Sequence, residues 1–209
     1  VVTGGGVPDL GAYEFTPNAG VVPPLCQVTP TVPAAGGTQT YTFGDLPVAS
    51  ITWDPAASVP ATAPTCQQWS GAKPPSISSV NNTFMYFYTD ILSSSTASYT
   101  ANINYLEPWL GTIANENVLH LAKKDGSNPW VVYPFGPSGA NTTLNYLYSP
   151  TTGPLNSFGS YTGLDLQNNA GATDIASPAG SFCAGTYNVV VRIKNLGSNT
   201  INNVEIDWK

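Results

Sequence analysis

In Tyr99-Thr100-Ala101-Asn102-Ile103-Asn104-Tyr105 every second residue is apolar or aromatic, and each residue between is small and polar. A period of two sends successive side chains to opposite faces of a strand, so this stretch predicts one face packed on a core and one face in water. The same alternation appears near the C-terminus. Val189, Val191 and Ile193 alternate with Val190, Arg192 and Lys194, and Val204, Ile206 and Trp208 alternate with Glu205, Asp207 and Lys209. Between those two runs, Asn195-Leu196-Gly197-Ser198-Asn199 supplies turn chemistry.

Further strands are predicted at 39–43, 49–53, 83–89, 118–122, 130–133, 143–148 and 160–166. Lys124-Asp125-Gly126-Ser127-Asn128-Pro129 and Pro150-Thr151-Thr152-Gly153-Pro154 punctuate them as turns. The helical period is almost absent, with a single short helical turn expected near 115–118. Many short strands at this spacing predict an all-β chain organised as a β-sandwich.

Composition agrees with that class. Of 209 residues only 9% are charged, while 20 Gly and 19 Pro supply turns. Six Lys and Arg against twelve Asp and Glu leave a net charge of -6. Phosphate backbones require a cationic surface, so nucleic acid is not an expected partner. No run approaches the roughly 18 apolar residues of a membrane-spanning helix.

Three cysteines, Cys26, Cys66 and Cys183, leave one unpaired in any connectivity. A Cys26–Cys66 disulfide would close a loop of about forty residues and contribute about 4 kcal/mol by loop entropy. That pairing is expected, with three buried free thiols as the alternative.

Pro8-Asp9-Leu10-Gly11-Ala12-Tyr13-Glu14-Phe15 resembles the ending of the parallel β-helix regions of bacterial surface proteins. Cys183-Ala184-Gly185, Val189-Val190-Val191, Lys194-Asn195-Leu196-Gly197 and Val204-Glu205-Ile206-Asp207-Trp208 resemble the first half of the CARDB/Ig-like modules of giant secreted Bacteroidota proteins. The stretches 74–88, 119–125 and 155–161 are similar to a β-sandwich linker domain of the same proteins. The resemblance implies residues 1–17 as the tail of a β-helix module, 18–24 as a linker, 25–169 as a β-sandwich and 170–209 as part of an Ig-like module. It also implies export by type IX secretion to an extracellular or cell-surface location.

Candidate chemistry is sparse. His120 is the only histidine and lies between Leu119 and Leu121, with no nucleophile signature in the chain. One His and three distant Cys give no zinc spacing, and Asp125-Gly126-Ser127-Asn128 with Asp90 lacks the acidic ligand series of a calcium loop. No cofactor or metal is expected. Glu107 and Glu116 flank Trp109 and form the one acidic and aromatic cluster worth testing against glycosidase geometry. Exposed aromatic faces beside Asn, Asp and Gln could stack on sugars, with Trp69, Trp109 and Trp130 as candidates and Tyr86, Tyr88, Tyr146 and Tyr148 beside them. Asn81-Asn82-Thr83 and Asn141-Thr142-Thr143 match the N-glycosylation acceptor pattern.

The expected function is therefore a non-enzymatic structural or adhesive segment of a large bacterial extracellular protein. Its partners would be neighbouring modules of the same or an adjacent chain, and glycans. The alternative is a carbohydrate-binding accessory domain of a secreted polysaccharide-degrading enzyme.

Overall fold

The computed structural model describes residues 22–77, 82–111, 113–132, 139–150, 154–166, 170–178, 185–195 and 199–204. The β-helix-like segment 1–17, Cys183 and residues 205–209 of the C-terminal alternation lie outside them. The fold is all-β, with antiparallel pairing throughout and no α-helix among the described residues.

The first sheet joins β1 (Gln27–Thr29), β2 (Thr38–Phe43), β3 (Leu46–Trp53), β7 (Tyr99–Asn104), β11 (Tyr146–Tyr148) and β10 (Gly139–Asn141), in the order β1-β2-β3-β7-β11-β10. The second runs β4-β6-β12-β8-β9, from β4 (Thr65–Ser70), β6 (Phe87–Leu92), β12 (Gly159–Leu166), β8 (Leu119–Lys124) and β9 (Val131–Val132). The short β5 (Asn82–Phe84) also pairs with β12. A separate two-stranded sheet pairs β13 (Ala170–Ser177) with β14 (Val190–Asn195).

The two large sheets share one core, as in a β-sandwich. Tyr41, Ile51, Trp53, Tyr99 and Ile103 of the first meet Cys66, Phe87, Ile91, Leu121 and Tyr161 of the second. In β7 burial alternates with the sequence, so Tyr99, Ala101 and Ile103 point inward. Its outward residues meet small polar partners, Thr100 opposite Thr52 and Asn102 opposite Ser50. Trp53 lies edge-on to Tyr99 at 5.7 Å, and its indole N–H donates to Gln39 Oε1 at 3.2 Å. A buried polar group costs little only when it is paired in this way.

Two predicted strands differ. The run 83–89 divides into β5 and β6, because the Tyr86 N–H leaves the ladder to donate to the Trp109 carbonyl at 2.7 Å. The run 143–148 begins as a turn. Asn141 Oδ1 accepts from the backbone N–H groups of Thr143 and Leu144, and Asn145 takes a φ of +50°, so the glycosylation-type triplet caps a β10–β11 hairpin. The helical turn near 115–118 is a 3-10 turn, Glu116–Val118, and a second one, Glu107–Leu110, carries Trp109.

β4 and β13 are additional strands. Consecutive Gln67 and Gln68 hide the period in β4, yet Gln68 Nε2 faces inward to the Asn104 carbonyl at 3.0 Å and Thr89 Oγ1 at 3.1 Å. β13 is built mostly of small residues with weak β-propensity, Thr173 and Ile175 apart.

Candidate functional site

The outer face of the second sheet carries its richest polar and aromatic surface. Because Cys66 and Phe87 point into the core, Gln67 and Trp69 on β4 and Tyr88 and Asp90 on β6 point outward. Trp69 and Tyr88 are cross-strand partners whose rings stack at 5.5 Å and 11°. The Trp69 indole N–H donates to Asp90 Oδ2 at 3.0 Å, and Ser160 on β12 donates to Asp90 Oδ1 at 2.5 Å. Burial pushes the Asp90 carboxyl above its ordinary value, against the lowering effect of those two hydrogen bonds. Burial and the nearby Asp90 charge push the Tyr88 hydroxyl up to about 12.

The raised Asp90 value sets a direction for stability. A carboxyl that binds its proton more tightly in the folded chain favours folding most below its unfolded value, and that contribution is lost as pH rises through the folded value. Asp90→Asn is expected to remove this component. Urea midpoints compared between about pH 3 and 7 should fall more in the parent than in the variant, and equal slopes would contradict the assignment.

The other tryptophans are placed differently. Trp109 packs against the common core with its ring stacked on Phe87 at 5.1 Å. Trp130 donates its indole N–H to the Pro75 carbonyl at 2.9 Å and packs on a small second core of Ile77, Phe84, Ala122 and Leu164. That cluster covers part of the outer face of the second sheet. Of the three candidate tryptophans, Trp69 is the one placed beside a run of outward polar side chains. Tyr86 is exposed in the break between β5 and β6, and Tyr146 and Tyr148 meet edge-on at 6.3 Å on the first sheet.

Glu107 and Glu116 gather around Tyr105 and not around Trp109. Glu116 Oε2 accepts from the Tyr105 hydroxyl at 2.5 Å, and Glu107 Oε1 accepts from Asn145 Nδ2 at 3.0 Å. Burial first, then both carboxylates, raise the Tyr105 hydroxyl. Each acid thus holds a loop in place. Among the described residues no three His, Cys, Asp or Glu side chains cluster as metal ligands. Asp125 is engaged by Lys123, and His120 stands opposite Leu164 on the outward side of β8.

A polar cluster absent from the sequence-level candidates lies beside the core. Lys123 extends inward from β8 and is 4% exposed, donating to Ser157 Oγ at 2.5 Å and pairing with Asp125 at 2.7 Å. Ser157 Oγ donates to Asp125 at 2.8 Å, its carbonyl accepts from the Tyr99 hydroxyl at 2.6 Å, and the Tyr99 and Tyr161 hydroxyls bond to each other. The cluster ties the loops after β8 and before β12 to both sheets.

The β13–β14 ribbon has two distinct faces. Ile175 opposes Val191 and Ala172 opposes Ile193 on one, while Asp174 opposes Arg192 on the other, with an ion pair at 3.9 Å. The apolar face is open: Ile175 is 54% exposed and Ile193 39%. Val189 and Tyr187 beside it are exposed as well.

No family model, curated protein or solved structure matches this chain. The described residues contain no helix long and apolar enough to cross a membrane.

Proposed function

We propose that this chain is a non-enzymatic structural or adhesive segment of a large bacterial extracellular or cell-surface protein, spacing or presenting a distal binding region. The exposed apolar face of the β13–β14 ribbon is the observation that carries this reading. A two-stranded ribbon is marginal by itself and needs packing on one face, while an apolar face contributes about 25 cal/mol per Å² only when water is excluded from it. A neighbouring Ig-like module of the same or an adjacent chain would bury Ile175, Val191 and Ile193. The low charge and the hydroxyl-rich and amide-rich outer face of the first sheet suit close lateral packing of such modules. The β-helix-like ending of 1–17 and the CARDB-like residues from Phe182 onward belong to the same proposal.

Peptide mapping of the native polypeptide tests it. The expected result is peptides from flanking β-sandwich or β-helix modules in covalent continuity with residues 1–209. A native polypeptide with no such modules would overturn the reading.

A second reading, a carbohydrate-binding accessory domain of a polysaccharide-degrading enzyme, is favoured by Trp69 and Tyr88 beside Gln67, Asp90 and Ser160. Glycan-array binding lost in Trp69→Ala but retained in Trp109→Phe would support it. A blank array would remove it.

A further inference from the structure

Cys26 and Cys66 sit where the chain crosses from one sheet to the other. Cys26 immediately precedes β1, the edge strand of the first sheet, and Cys66 lies on β4, the edge strand of the second. Two contacts lay the segment before β1 along β4. Gln67 Nε2 donates to the Pro23 carbonyl at 2.5 Å, and the Cys26 N–H donates to the Cys66 carbonyl at 2.8 Å. The Cys26 N–H reaching the Cys66 carbonyl brings the two backbones together at these residues, the proximity that a disulfide requires. Both side chains turn toward the same place. Cys66 is buried in the common core, Cys26 packs against that core half-buried, and the two are present as thiols hydrogen-bonded to each other.

We propose that Cys26 and Cys66 are the two halves of an inter-sheet disulfide that staples the sandwich at its β1/β4 seam. Loop arithmetic in the sequence allows the pairing, and the fold adds what it would fasten: the outermost strand of each sheet. The cross-link does not depend on the filament reading.

The chemistry is thiol–disulfide exchange with a small-molecule disulfide. The Cys26 thiolate attacks one sulfur of the oxidant, whose S–S bond breaks to release one thiol. The Cys66 thiolate then attacks the Cys26 sulfur of the mixed disulfide and releases the second. Two electrons and two protons pass from the pair to the oxidant. The hydrogen bond from Cys66 holds the Cys26 thiol below its ordinary value, while that same contact and burial raise Cys66. The half-exposed Cys26 is accordingly the attacking group and Cys66 the resolving one.

The test uses the whole chain, equilibrated with oxidised glutathione or with a reductant, alkylated and cleaved before aspartate. Oxidation should join the peptide 9–44 to 54–89 at a mass about 2 Da below their sum, leaving the Cys183 peptide 174–206 alkylated. It should also raise the melting temperature by roughly 10 °C. Cys26→Ser should abolish that rise while melting with the reduced parent. Alkylation of both Cys26 and Cys66 after oxidation, linkage of either to Cys183, or a linked pair with no gain in melting temperature would each overturn the proposal.

Discussion

Gly159→Ala is expected to destabilise the chain by about 3 kcal/mol, at the upper end for over-packing a buried site. Gly159 opens β12, opposite Ile91 of β6, and a Cβ placed there would stand 2.2 Å from the Lys124 carbonyl oxygen and 2.9 Å from Asp125 Oδ1. The obstacle is backbone. It cannot swing aside as a side chain can, so either the β8–β12 ladder opens or the Lys123–Asp125–Ser157 cluster is displaced. For a chain of this size the loss corresponds to a fall in melting temperature of roughly 10 °C. Gly163→Ala is the natural contrast. Its added Cβ would lie 2.4 Å from Met85 Sδ, the end of a flexible thioether, and 3.2 Å from Leu147. The expected cost is only about 1–2 kcal/mol. Urea denaturation of the two variants should separate them clearly, and equal losses would show that the Lys124 carbonyl is not the rigid element it is taken to be.

Lys123→Ala should cost about 2–3 kcal/mol. The substitution removes an aliphatic stem from the core and leaves Ser157 and Asp125 without their cationic donor. Asp125 is 40% exposed and can recover water, which keeps the loss below that of a fully buried pair. Lys123→Met keeps the stem and discards the charge. About half of the alanine cost should return, because replacing a buried ion by an apolar chain of similar volume is far milder than leaving a void. Denaturation midpoints at neutral pH decide this, and a methionine variant as unstable as the alanine one would mean that the charge carries the whole effect.

Most of the sandwich is legible wherever burial follows period two. β7 reads directly because Tyr99, Ala101 and Ile103 are inward and their neighbours are small and polar, and β2 follows for the same reason, whereas β8 and β12 are buried on both faces through their middle. β4 hides because Gln68 is inward and polar, satisfied by partners far away in sequence that no local pattern can announce. The turn at 142–145 hides because Asn141 acts through its side-chain oxygen on the Thr143 and Leu144 N–H groups and Asn145 through a positive φ.

Lys123 had a readable signal. It shares the parity of Leu119 and Leu121 in β8, so an inward lysine was implied by the alternation itself. Its partner Ser157 lies 34 residues away, and that distance kept the cluster out of view. For the candidate site, Trp69 and Tyr88 could be named from sequence but not joined. Their stacking depends on the β4–β6 register, which places them directly opposite. Trp109 shows the reverse, since Pro108 opens a 3-10 turn that carries its ring toward Phe87 and the core.

The proposed function requires a neighbouring module over the apolar face of β13–β14. Amide hydrogen exchange measures this directly, by comparing residues 170–195 in the isolated 209-residue chain and in the native assembly. In the isolated chain the ribbon should exchange close to the rate of an unfolded peptide while β3, β7 and β12 remain protected. In the assembly its protection should rise by about 100-fold or more, the equivalent of about 2.7 kcal/mol of added local stability. Exchange in β14 that is equally fast in both states, or already as slow in the isolated chain as in the sandwich, would rule out such a cover.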